Sequence, residues 1–181
     1  MTYYTVFVID LASRRIQIVG STPCPNELFM RHMSRTLTIA DDGLLRTHRL
    51  LICDRDAKWS AVRPLLEDAG LRVVQTPYRA PNANAYAERF VRSIKEECLD
   101  RIIPLGEHHF RRAVRDYVAH YHRERNHQGL SNELIESRPS DPVGRIRRRQ
   151  RLGGVVIMVT LLSKNPQLVS VTTMARVQRS A

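Results

Sequence analysis

The segment Pro77–Leu99, PYRAPNANAYAERFVRSIKEECL, sets the strongest limit on how this chain can fold. Pro81, Asn82 and Asn84 predict a turn, and the turn leads into a helix with Glu88 in its first two turns. At 3.6 residues per turn, Arg92 and Lys95 share a face with Glu88. Phe90, Val91, Ile94 and Cys98 gather on a different side, which needs an apolar layer to pack against. One face therefore anchors the helix, and the other presents a carboxylate beside two cations. Such a face can hold a divalent cation next to a phosphate backbone. An ordinary amphipathic helix with a solvated charged face meets the same pattern.

The rest of the chain supplies that layer. Tyr3 to Leu11 is rich in Tyr, Val, Phe and Ile and reads as a buried strand, and Ile16 to Ser21 reads as an antiparallel partner after a turn at Ala12–Arg15. A helix is expected from about Asn26 to Ile39, with Leu28, Phe29, Met33 and Leu37 along one side. Leu50 to Cys53 is a short apolar run ending in Asp54-Arg55-Asp56, which predicts a central strand that delivers acids at its C-terminal end. Ser60 is expected to cap a helix through Val62, Leu65, Leu66 and Ala69, stopped by Gly70. Leu71 to Gln75 is a further strand. A last long helix covers roughly Glu107 to Glu124, with Phe110, Val114, Tyr117, Val118 and Tyr121 at core spacing. The order β-β-α-β-α-β-α-α predicts an α/β domain with a mixed sheet.

After Asn126 the character changes. Residues 1–136 read as the domain, 137–152 as a Pro/Ser and basic linker, and 153–181 as a tail with no assigned role. Arg147, Arg148 and Arg149 lie in the basic run RIRRRQR, which suits either a solvated arm or phosphate contact. Val155 to Leu162 is a β-branched apolar segment that does not obviously belong to the preceding core.

Charge narrows the choice of partner. The 181 residues carry 29 Lys and Arg against 18 acids, a formal net charge of +11, which favours a polyanion such as DNA or RNA. Aromatic residues make up 6%, too few for a single-strand platform built from repeated Phe and Tyr. Cys24, Cys53 and Cys98 are widely spaced and form no CxxC pair, so neither a disulfide framework nor a zinc ribbon is expected, and a reducing cytoplasm fits. The opening apolar stretch lacks a basic start and a cleavage site, and no apolar run approaches membrane-spanning length. His108-His109 and His120-Tyr121-His122 read as helix-surface or packing residues rather than metal ligands.

Three stretches together resemble a known family: LLICDRDAKWS at 50–60, TPYRAPNANAYAERFVRSIKEECL at 76–99 and YHRERNHQGL at 121–130. They are similar to the integrase catalytic core shared by retroviral integrases and insertion-sequence transposases, in particular transposases of the IS3 type. The resemblance spans about Tyr3 to Leu134. It implies a ribonuclease H-like fold, with a five-stranded mixed sheet flanked by helices, and a DDE active site for DNA integration. Asp54 matches the second acid and Glu88 the third. Asp56 is a local rival to Asp54. Asp54 is preferred because it follows the apolar strand directly, and because the interval to Glu88 already runs short of the family's. Arg92 and Lys95 match positions at which retroviral integrases contact DNA.

The first acid has no match. In the family it sits on a strand that opens a three-strand meander, whereas Tyr3–Leu11 and Ile16–Ser21 look like strands two and three. The resemblance therefore places the start of the chain one strand late. Met1 is then an internal or miscalled start, or the gene a truncated copy. The competing expectation is that Asp10 substitutes as first ligand. With strand one missing, an exposed sheet edge and a dimerising or aggregation-prone product are expected.

By resemblance the chemistry is metal-dependent phosphoryl transfer on DNA ends, with Mg²⁺ or Mn²⁺ as cofactor, mobile-element ends and target DNA as partners, and a homodimer or higher assembly in a bacterial cytoplasm. With the first acid missing, the second metal is expected to be poorly held and the chain to bind DNA with little or no catalysis by itself. The alternative is a non-catalytic DNA-binding remnant that associates with a full-length transposase.

Overall fold

A computed structural model describes residues 2–39, 43–78 and 84–136, together with the backbone of 148–151, 156–159 and 170–177. Its centre is the strand β1 (Tyr3–Asp10), whose alternation sends side chains to two separate cores. Tyr3, Phe7 and Ile9 join one cluster; Val6 and Val8 join the other. No residue of β1 is exposed, because both of its faces are covered.

β2 (Ile16–Thr22) pairs antiparallel with β1, with a register shift between Val6 and Phe7. The connecting turn is held by Asp10, whose Oδ1 accepts the N–H groups of Ala12 at 3.0 Å and Ser13 at 2.8 Å. Arg14 takes the left-handed conformation there, at φ 59°. A short polar side chain at Asp10 thus closes a turn that neither glycine nor proline supplies.

Three helices cover one face of the sheet. α1 (Glu27–Thr38) starts at Asn26, whose side chain accepts the N–H of Phe29, and buries Met30, Met33, Ser34 and Leu37. It packs so closely on β2 that a Cβ at Gly20 would collide with the Met33 sulfur. α2 (Ala57–Ser60) and α3 (Arg63–Asp68) place Trp59, Val62 and Leu66 in the same cluster. This corrects the single helix expected from Ser60 onward. Asp56, not Ser60, is the cap, and Pro64 near the start of α3 has no N–H to continue a helix from Ser60. β3 (Leu50–Cys53) and β4 (Arg72–Gln75) form a parallel pair across this α2–α3 connection.

The opposite face is covered by α4 (Ala85–Glu97) and α5 (Gly106–Arg123). Phe90 of α4 meets Phe7 at 5.0 Å and Tyr121 at 5.1 Å between ring centroids, and Phe110 of α5 stacks on Tyr3 at 4.5 Å. Each such buried aromatic contributes about 1.5–3 kcal/mol of apolar burial, with a further 0.5–1.5 kcal/mol from ring geometry. The result is helices on both faces of strands, the mixed α/β class expected.

The region expected as a basic linker and an unassigned tail contains three further strands among its described residues. β5 (Arg148–Arg151) pairs antiparallel with β6 (Val156–Val159). β7 (Ser170–Val177) pairs antiparallel along the whole of β1, from Tyr3 opposite Val177 to Asp10 opposite Ser170. Its Cα atoms also come within 8 Å of those of β3. Backbone pairing therefore gives sheets in the order β2-β1-β7, β3-β4 and β5-β6, with β7 between β1 and β3. The edge of β1 expected to stand open is paired instead.

Candidate active site

Asp54 follows β3 directly and is half-buried, its Oδ1 accepting the N–H of Asp56 at 3.2 Å. Its charge, added to burial, pushes the Cys53 thiol up to about 11, so that side chain stays protonated and packs as a small apolar group. Asp56 is occupied otherwise. It caps α2 through the N–H of Lys58 at 3.0 Å and holds the Lys58 ammonium at 3.1 Å. Both Asp56 contacts, to the helix N-terminus and to the ammonium, are local to α2.

Glu88 lies in the first turns of α4, exposed, with no hydrogen-bond or ion-pair partner among the described residues. The buried side of the helix (Ala87, Phe90, Ser93, Ile94) points it outward. Arg92 is exposed and Lys95 half-buried, and neither is paired with a carboxylate among the described residues. Elsewhere the surface has many i,i+4 pairs, such as Arg31 with Glu27 and Arg63 with Glu67. Here the carboxylate and the cation one turn on stay apart, both available to a ligand.

Asp10 is placed elsewhere. Its Oδ2 lies 3.2 Å from Nε2 of His48, two residues before β3, while Asp54 comes after that strand. Four strand residues span roughly 13 Å, far more than two ligands of one ion tolerate. Burial works against the Asp10 charge, but the Ser13 and Ala12 N–H groups and His48 outweigh it and hold its carboxyl below the usual range. Asp10 closes the β1–β2 turn and contacts His48.

Among the described residues no group of three or more His, Cys, Asp or Glu side chains is placed to share a metal ion. Asp54 and Glu88 are hard oxygen donors of the type Mg²⁺ takes, and such an ion is commonly held by one or two carboxylates plus water and substrate phosphate.

The closing segment serves architecture. Arg125 makes a two-pronged pair with Glu97, Nη2 to Oε1 at 2.8 Å, and Tyr117 donates to Glu97 at 2.7 Å. Burial disfavours the Glu97 charge, but these bonds prevail and its carboxyl is held below the ordinary value. His127 lies 2.8 Å from the Tyr121 carbonyl, and His120 and His122 are buried, with His120 Nδ1 3.1 Å from Glu124 and His122 Nε2 accepting the Ile16 N–H. Arg147 falls outside the described residues; Arg148 and Arg149 belong to β5. Among the described residues no helix is long and apolar enough to cross a membrane.

Residues 69–133 match the family model described as integrase core domain. The matched stretch includes α4 with Glu88, Arg92 and Lys95, all of α5, and Arg125 to Leu130. This supports the integrase/transposase catalytic-core superfamily as the class to which that stretch is similar. Compared with curated proteins and with solved structures, the chain finds no match in either.

Proposed function

We propose that this protein acts on DNA by metal-dependent phosphoryl transfer in DNA integration, as an integrase or transposase core of ribonuclease H-like fold, related to IS3-type transposases. The observation that carries the reading is the outer face of α4, where Glu88, Arg92 and Lys95 have no ion-pair partner among the described residues and lie inside the stretch similar to integrase cores. Asp54 and Glu88 would hold the cation, Mg²⁺ or Mn²⁺, which would supply Lewis-acid polarisation at the phosphorus. Arg92 and Lys95 bind the phosphate backbone and fix its register on the helix, and Arg147, Arg148 and Arg149 extend the contact to flanking DNA. Joining two DNA ends to a target calls for at least a homodimer, in a bacterial cytoplasm.

Two carboxylates hold one ion well and a second poorly, so nicking is expected to outpace joining. The test is Mg²⁺- or Mn²⁺-dependent nicking of a labelled duplex by this chain beside Asp54→Asn and Glu88→Gln. The expected result is slow nicking that both substitutions abolish. Nicking that survives both overturns the assignment.

A further inference from the structure

A cavity of about 280 Å³ opens between the β1–β2 turn, the start of α4 and the segment after α5. Its lining is mixed: Ile9, Ile16 and Tyr121 are buried and apolar, Asn126 and Gln128 add polar groups, and Arg14, Tyr86 and Arg89 are more exposed. The Arg14 guanidinium lies over the Tyr86 ring at 3.6 Å from the centroid. Neither Arg14 nor Arg89 is paired with a carboxylate among the described residues, whereas the third arginine of the cavity, Arg125, is neutralised by Glu97. Tyr86 and Arg89 are one turn apart on α4. Glu88 sits between them in sequence, about 100° around the helix from Arg89 and about 200° from Tyr86, so the cavity is separate from the proposed metal-binding face.

From this we infer that the cavity binds one unpaired nucleotide of a DNA strand. The base enters the cavity, stacking on the tyrosine and guanidinium planes at the rim, and its phosphate meets Arg14 and Arg89. Two features select this ligand over a bare anion or an apolar molecule. The unneutralised guanidinium groups offer planar, forked donors suited to phosphate, and they border the apolar side chains of Ile9, Ile16 and Tyr121. The volume lies at the low end for small-ligand cavities and admits a single base rather than a duplex. A low aromatic content argues against a long stacking platform, but one Arg–Tyr stack suffices for one base. The proposal rests on the reading that DNA is the partner, and it is independent of the metal chemistry.

The test uses the full chain without metal and a 12-nucleotide single strand carrying 2-aminopurine at its end, beside the same sequence fully paired. The expected result is a saturable fluorescence change with the single strand and none with the duplex. Arg14→Gln/Arg89→Gln, checked by circular dichroism for native folding, weakens single-strand binding about tenfold or more and leaves duplex binding within about twofold. Tyr86→Ala removes the fluorescence change while retaining native circular dichroism. Thymidine monophosphate competes at concentrations where inorganic phosphate does not. Equal losses on single strand and duplex overturn the proposal, as does an unaltered fluorescence signal or equal competition by phosphate alone. Failure of the nicking assay leaves these binding results standing, and their failure leaves nicking by Asp54 and Glu88 unaffected.

Discussion

Nε2 of His122, on the last turn of α5, accepts the main-chain N–H of Ile16 at 2.8 Å and so ties the helix to the first residue of β2. The bond requires a neutral imidazole with its proton on Nδ1, which faces Glu136 at 3.6 Å. Burial pushes the His122 pKa down to about 4, against the Glu136 charge that works the other way. The folded value lies below the unfolded one, so the unfolded state binds more protons between pH 6.5 and 4. Stability therefore falls as pH drops through that window, by up to about 3 kcal/mol for this residue. His127, also lowered chiefly by burial, acts in the same direction. Urea unfolding at pH 7.5 and pH 5 should show the loss, and His122→Phe should flatten the dependence. That substitution also leaves the Ile16 N–H unsatisfied, at a cost of about 1–3 kcal/mol at pH 7.5.

The pair formed by Glu97 and Arg125 joins α4 to the segment after α5, and Tyr117 completes it. Glu97→Ala is expected to cost about 2 kcal/mol, because it strands a half-buried guanidinium and a buried phenol. Arg125→Ala should cost a similar amount, and the double variant clearly less than the sum. A double-mutant cycle in urea checks this; additive losses would show that the two side chains do not act together.

β7 supplies a testable claim about the sheet. Thr172 and Thr173 stand opposite Val8 and Phe7, and one of two adjacent backbone N–H groups in a strand faces β1. Thr172→Pro/Thr173→Pro should therefore break the ladder and destabilise the fold by about 3 kcal/mol or more. A variant that unfolds at the same urea concentration as the unsubstituted chain would mean that β7 is not needed by the sheet.

Asp10 and Asp54 should separate cleanly by function. Asp10→Ala removes the turn acceptor and the His48 contact, so it should lower stability by about 1 kcal/mol while metal-dependent nicking per folded molecule stays intact. Asp54→Asn should do the reverse, with loss of nicking and near-normal unfolding. A loss of nicking in folded Asp10→Ala would restore it as a candidate ligand.

Periodicity made most of the domain legible. β-branched and aromatic runs marked β1, β2, β3 and β4 to within a residue or two, and the 3.6-residue spacing marked α1, α4 and α5. These are local signals, because a strand or helix that must bury one face repeats its apolar residues at the period of its own geometry. The break between α2 and α3 departs from the single helix expected after Ser60, because Asp56 caps α2 and Pro64 lacks the N–H that a helix from Ser60 would need, both local features. The exposed face of α4 was likewise readable, since Glu88, Arg92 and Lys95 lie on a single helix.

What tertiary structure alone decided depends on residues far apart in the chain. Nothing local distinguishes the SVTTMARV segment at 170–177 from the surrounding polar tail; it becomes a strand because the edge of β1 offers backbone partners over its full length. The turn that Asp10 closes through Ala12 and Ser13 is local, but its contact with His48 exists only because the fold brings the end of β1 to the residues before β3. The cup of Arg14, Tyr86 and Arg89 needs a hairpin turn and a helix N-terminus brought together across some seventy residues of sequence. Each element is thus specified by its own pattern, whereas neighbours across the sheet are chosen by unsatisfied hydrogen bonds and uncovered apolar faces, which only the assembled fold reveals.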